Sequence, residues 1–301
     1  MKTLFYPLFI FVLCTFCITT ASAQTDCRRQ PDFIQKFGFD PTRSAVSTSE
    51  RKYMGAVLIE LSDPKNTNSN RSKVFQHPSW RSAGYMGAIA IDKFGNVYVI
   101  PAPTVNILYN KPEDQNWVYK IDNQTGEMNR YVELPAAGQP SIQNSFGILG
   151  SFYDCDSHSL FVTSVMGSTQ DNEKGRIFAI DLNTNKVTIV AQNLDAMGIG
   201  IVKMDGKRQL FVGKTRNSDI YSIDLDPNNL ALSNPQLVFT LDNLGPRGDD
   251  RARKIRFANN NLQINAASFY YNLTAPTEKP ETVYSFSYNT AQKKWQLIKY
   301  Q

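Results

Sequence analysis

Ala88-Ile89-Ala90-Ile91-Asp92-Lys93-Phe94-Gly95-Asn96-Val97-Tyr98-Val99-Ile100 is the stretch whose reading decides the fold. Two short apolar runs flank a turn rich in Asp, Gly and Asn, so the segment reads as two antiparallel strands. Echoes lie at 151–162, 201–212 and 255–264. Each of these four, like the irregular first unit at 33–50, is followed by a second hairpin whose first strand ends in an acidic or polar turn. These strands are Val57-Leu58-Ile59-Glu60, Val118-Tyr119-Lys120-Ile121-Asp122, Ile177-Phe178-Ala179-Ile180-Asp181, Ile220-Tyr221-Ser222-Ile223-Asp224 and Val283-Tyr284-Ser285-Phe286-Ser287.

Equivalent positions recur about 43 to 63 residues apart, matching the blade of a propeller. A lone four-stranded sheet with two apolar faces cannot bury both, whereas a ring of such sheets buries each face against a neighbour. A two-sheet sandwich usually lacks such repetition. The pattern predicts an all-β propeller of five four-stranded blades, beginning near residues 33, 84, 146, 197 and 252. A sixth blade around 101–116 or 135–145 remains an alternative. The first unit, 33–50, is the least regular. The chain is expected to start on an innermost strand and end on an outermost one at 294–300, so that closure rests on packing between the first and last blades.

Residues 1–23 read as an export signal: Lys2, an apolar run from Leu4 to Ile18, and a small-residue cleavage site at Ala21-Ser22-Ala23. The expected address is secreted or periplasmic, with one β-propeller domain over 24–301. No later stretch approaches the roughly 20 apolar residues of a spanning helix, so membrane insertion is not expected. Cys14 and Cys17 leave with the signal. Cys27 and Cys155 remain, and either pair across the domain or stay as free thiols, one of them buried.

The 32 Lys and Arg are scattered among 27 Asp and Glu for a formal charge of +5. Without a basic stripe, nucleic acid is not an expected partner. A monomer that binds a small molecule or an extracellular protein is expected.

The Asp92-Lys93-Phe94-Gly95-Asn96-Val97-Tyr98-Val99 segment, with the Tyr-Lys-Ile-Asp and Phe-Ala-Ile-Asp strands, resembles the NHL-like and SMP-30/gluconolactonase-like propellers. The resemblance covers nearly all of the chain after residue 23 and implies a propeller. For the gluconolactonase-like branch it also implies a divalent cation, commonly Ca²⁺, held at the channel mouth by a Glu, Asn residues and an Asp. No glutamate of this chain falls at a comparable position.

Counting ten residues back from Asp92, Asp154, Asp205 and Ala258 brings Ser82, Asn144, Asp195 and Gly248 into one register, with Asp249 and Asp250 beside the last. Oxygen ligands of this kind suit Ca²⁺, so Asn144, Asp195, Asp249 and Asp250 are candidate metal ligands. The alternative is that they satisfy loop backbone groups. Arg81, Tyr85, Asn144, Asp195, Arg251 and Arg253 are candidate ligand contacts, because arginine can clamp a carboxylate or phosphate. The charged run 246–254 also reads as a solvated loop.

Only His77 and His158 are available as bases, and no Gly-x-Ser-x-Gly turn is present. The expected function is non-enzymatic binding at the channel face. A metal-dependent, lactonase-like hydrolase and a structural or surface-interaction protein are the alternatives.

Overall fold

The computed structural model describes residues 21–22, 26–50, 52–62, 73–102, 108–139, 143–204, 206–258, 261–271 and 281–301. Most of the signal segment lies outside these residues, as do the potential glycosylation sites at Asn70 and Asn272. Five antiparallel sheets form the blades of a β-propeller.

A two-residue strand, β1 (Ala21–Ser22), pairs with Lys203 and Met204 of the fourth blade. Blade one holds β2 (Ser44–Ser47), β3 (Val57–Glu60) and β4 (Lys73–Phe75). Blade two runs from β5 (Met86–Ile91) through β6 (Val97–Pro101) and β7 (Trp117–Ile121) to β8 (Met128–Glu133). Blade three is β9 (Ile148–Asp154), β10 (Ser159–Ser164), β11 (Arg176–Asp181) and β12 (Val187–Gln192). Blade four is β13 (Ala196–Met204), β14 (Lys207–Lys214), β15 (Asp219–Leu225) and β16 (Gln236–Thr240). Blade five is β17 (Arg251–Ala258), β18 (Asn261–Ala267), β19 (Thr282–Asn289) and β20 (Lys294–Tyr300). In blades two to five the four blade strands pair in sequence order, with β5, β9, β13 and β17 the innermost of each four and β1 added beyond β13.

The period-two alternation of a strand sends successive side chains to the two neighbouring blades. On β6, Val97 and Val99 join the core between blades one and two, while Tyr98 and Ile100 join that between two and three. Leu160 and Val162 of β10 face back, and Phe161 faces forward to blade four. Phe211 of β14 likewise packs on blade five, among Ile264, Tyr284 and Phe286. The innermost strands converge where glycine permits. A Cβ on Gly150 would lie 2.0 Å from the Met197 carbonyl oxygen, and one on Gly200 would lie 2.6 Å from that of Ile255.

Two expectations need correction. In the first unit a helix, α1 (Asp32–Lys36), stands where an innermost strand was expected, and blade one has three strands among the described residues. Phe33 and Phe37, one helical turn apart, turn the same way and meet Trp80 and Phe75, so helical spacing wins over alternation. Secondly, the four buried clusters among the described residues join consecutive blades from one to five, and none joins five to one. The alternation explains this. Leu262, Ile264 and Ala266 of β18 face blade four, whereas Asn261, Gln263 and Asn265 face the other way. Such a face has little apolar area to bury.

Cys27 and Cys155 lie within disulfide-bonding distance, their Cα atoms 6.0 Å apart. The N-terminal strap is further tied to blade two: Arg29 N–H donates to Asp92 O, and Phe33 N–H to Asn123 O.

Candidate functional site

The entry to each innermost strand lies on one face of the ring, together with the loop between the second and third strands. Backbone hydrogen bonds align these entries. Ala102 N–H donates to Tyr85 O, Val165 N–H to Gly147 O, and Thr215 N–H to Asp195 O. Arg251 pairs with Ala267 as Ala196 pairs with Lys214, which makes Asp250 the match of Asp195. The equivalent set is therefore Tyr85, Gly147, Asp195 and Asp250, not Ser82, Asn144, Asp195 and Gly248. Every innermost pairing carries a bulge near the mouth, and the entry loops differ in length, so a count back from the far end loses register.

Asp195 is fully buried, and its carboxylate is enclosed by donors from three blades. Ser168 Oγ (2.5 Å) and the Gly175 N–H (2.7 Å), both of blade three, donate to Oδ1. Arg216 Nε of blade four (3.0 Å) and the Tyr271 hydroxyl of blade five donate to Oδ2. Burial and the Asp195 charge push the Tyr271 phenol well above its ordinary value. Glu173 completes the cluster, accepting the Asp195 N–H at 2.8 Å and pairing with Lys214 at 3.3 Å.

Asp250 repeats the arrangement. It is fully buried, takes Arg247 Nε on Oδ1 at 2.6 Å and accepts the Tyr284 hydroxyl on Oδ2 at 2.6 Å. Asn144 is also buried, but it serves its own loop: Nδ2 donates to Val165 O and Ser168 O, and Oδ1 accepts the Phe146 N–H. Asp249 is exposed. The carboxylate oxygens assigned to a cation at 195 and 250 are thus occupied by N–H and O–H donors. Among the described residues no group of three or more His, Cys, Asp or Glu is spaced to hold a metal ion.

The candidate ligand contacts separate into two kinds. Arg251 spends its guanidinium on Thr215 O, Ser218 Oγ and Asp249 O, clamping blade five to blade four. Tyr85 is half-buried, hydrogen-bonded through its backbone to Asn110 and edge-on to Tyr109. Arg81 lies exposed at the end of a 3-10 turn, Pro78–Arg81. Arg253 is exposed on β17 and reaches Glu281 Oε1 at 2.6 Å.

Sequence reading missed the neighbours of Arg253. The run assigned to a solvated loop enters β17 at Arg251, which places Arg253, Lys254 and Arg256 on the innermost strand of blade five. All three are exposed, and no other innermost strand carries such a set. Partial burial depresses the Lys254 pKa, and the Arg253 and Arg256 charges add to the effect against the opposing pull of Glu281. Burial opposes the Glu281 charge, yet the Asn265 amide and the charges of Arg253 and Lys254 hold that carboxyl below its ordinary value. One carboxylate thus faces two of these cations, and Arg256 acts on Lys254.

Aromatic side chains at the mouth serve packing. Phe269 contacts Phe146 and Tyr271, drawing the blade-five loop over the entries of blades three and four. A separate open pocket of about 330 Å³ lies between blades two and three, lined by Glu113, Asn116, Glu133, Leu134, Pro135, Ala136 and Met166. It includes none of the sequence-predicted residues. No helix among the described residues is long and apolar enough to cross a membrane.

No protein-family model matches the chain, and no curated protein matches it. Among solved structures it is similar to the N-terminal domain of Nup159, with 12% identity, 84% of this chain, 59% of that one and a TM-score of 0.42. It is similar also to a hypothetical selenium-binding protein from Sulfolobus tokodaii, with 10% identity, 81% of this chain, 62% of that one and a TM-score of 0.44. An ancestral GH74 enzyme gives 12% identity over 81% of this chain and 30% of that one, with a TM-score of 0.48. The chain spans less than two thirds of each of these structures, and the likenesses carry no argument about function.

Proposed function

We propose that this protein is an exported propeller that binds a small anionic ligand at the mouth end of β17, through Arg253 and Lys254, without transforming it. The observation that carries the reading is the excess of exposed cations on one innermost strand, with Glu281 as the carboxylate beside them. A second anion arriving there relieves the mutual repulsion of Arg253, Lys254 and Arg256, and arginine offers it paired N–H donors. The networks around Asp195 and Asp250 support the same reading, because they fix the loops from which β17 emerges.

Export is supported by the apolar leader with its Ala-Ser-Ala site and by the approach of Cys27 to Cys155, a pairing suited to an oxidising compartment. The occupied oxygens of Asp195 and Asp250 give the calcium-dependent hydrolase no support.

The test is calorimetric titration of the full chain with galacturonic acid, a small sugar carboxylate, and with neutral galactose. The acid is expected to bind and the neutral sugar not to. The Arg253→Gln/Lys254→Met double variant is expected to lose that binding at unchanged thermal stability. Equal binding of acid and neutral sugar, or full retention by the double variant, would overturn the reading.

A further inference from the structure

Cross-strand pairing puts three rows of side chains on the face of blade five that turns away from blade four. Lys254 pairs with Asn265 and that with Val283; Arg256 pairs with Gln263, then Ser285, then Lys299; Asn261 pairs with Ser287 and that with Gln296. The residues between them, among them Ile255, Ile264 and Phe286, form the core against blade four. The outward face therefore carries three cations, amides and hydroxyls, with Ala258 and Val283 as the apolar members and no aromatic ring in these rows, and the Glu281 carboxylate borders it, accepting from Asn265 Nδ2 at 3.0 Å.

Lys254, Arg256 and Lys299 are exposed, and no hydrogen bond, ion pair or buried apolar cluster ties this face to blade one among the described residues. On the face of blade one that turns away from blade two, Val57 is buried and Ile59 half-buried, while Ala45 is exposed and Val74 is 40% exposed. Burying unpaired lysine and arginine against such a surface would cost several kcal/mol per ion.

We propose that this face binds a linear acidic polysaccharide, whose carboxylate or sulfate groups meet Lys254, Arg256 and Lys299 while its hydroxyls meet the half-buried amides of Asn261, Gln263 and Asn265 and the hydroxyl of Ser287. The proposal deepens the reading above and rests on it, since Lys254 belongs to both surfaces. The row from Arg256 to Lys299 crosses three inter-strand steps of about 4.8 Å, so its two cations can engage separate units of one chain. The composition disfavours other macromolecules. Protein interfaces concentrate aromatic side chains and are depleted in lysine and serine. Single-stranded nucleic acid is held by aromatic stacking platforms, which this face lacks.

The experiment compares galacturonic acid with hexagalacturonate on the full chain, with maltohexaose as the neutral oligomer and a sulfated hexasaccharide as a second anion. The account predicts that the acidic hexamer binds at least about tenfold more tightly than the monomer, through linked contacts. It predicts also that added salt weakens this gain. The Arg256→Gln/Lys299→Gln variant, which changes two exposed side chains, is expected to lose the length-dependent gain and keep monomer binding. Equivalent binding of the sulfated hexamer supports the polyanion assignment. Monomer binding without any gain in the hexamer overturns this proposal and leaves the small-anion reading standing. Failure of both acids to bind overturns the two together. Maltohexaose binding as tightly as hexagalacturonate overturns the charge basis.

Discussion

Tyr271, on the loop between β18 and β19 of blade five, donates its hydroxyl to Oδ2 of Asp195, the residue that leads into the innermost strand of blade four. The same carboxylate takes Ser168 and Gly175 from blade three and Arg216 from its own blade. One buried acid thereby fastens three blades at the mouth. Four donors leave few lone-pair directions open on it.

Tyr271→Phe removes one donor from a charged acceptor and should lower stability by about 1–3 kcal/mol. Asp195→Ala should cost more, about 3–5 kcal/mol, because four donors lose their acceptor at once and Arg216 keeps only the more distant Glu173, at 3.9 Å, as a carboxylate partner. Urea denaturation of both variants gives the comparison. A phenylalanine variant as unstable as the alanine one would show that Tyr271, not the carboxylate, holds the mouth together.

Cys27 and Cys155 are 128 residues apart, and closing so long a loop restricts the unfolded chain by about 4–5 kcal/mol in the chain-entropy account. Reduction, or the Cys27→Ser/Cys155→Ser variant, should lower the urea midpoint accordingly. An unchanged midpoint would mean that the hydrogen bonds of the strap to Asp92 and Asn123 suffice.

His158 is buried beside Tyr153 and Phe94, and burial, with the nearby Lys93 charge, holds its pKa below the ordinary 6.5. The unfolded chain therefore binds the proton first as pH falls. Stability due to this group is complete above the unfolded value and declines as pH drops below about 6.5. His158→Asn keeps a residue that tolerates the local φ of 47° and should flatten the pH dependence between about 7 and 5. An identical slope in the variant would assign the decline to other groups.

Asn123 begins an Asn-Gln-Thr sequence but is only 8% exposed. Its Oδ1 accepts the Asp32 N–H at 2.6 Å and its Nδ2 donates to Asp32 Oδ2 at 3.2 Å. A glycan there would displace the strap. Secretion from a glycosylating host should yield folded protein unmodified at Asn123, checked by peptide mass spectrometry. Full occupancy would mean that residues 26–32 dock elsewhere.

The blades were legible because each strand's alternation feeds two neighbouring cores, as Val97 and Tyr98 do from adjacent positions, and because turns such as Asp92 to Asn96 mark the hairpins. The first blade was not, since Phe33 and Phe37 satisfy helical spacing over a stretch too short to show a period. Asp195 stood out by position, yet its role depends on Ser168, Arg216 and Tyr271, which only the fold brings together. The mouth register slipped because bulges and unequal loops are invisible to a fixed count. The polar face of blade five was within reach. Lys254 and Arg256, Gln263 and Asn265, and Ser285 and Ser287 alternate with apolar residues in plain sequence, but the charges crowded into 247–254 mask the alternation and give that run the composition of a loop.

Hydrogen–deuterium exchange of the full chain with and without hexagalacturonate tests the central claim most directly. The account predicts slowed exchange concentrated in 251–258 and 261–267, with little change in blades two and three. Protection centred on the entries at 143–147 or 165–175, or none at a saturating concentration, would contradict it.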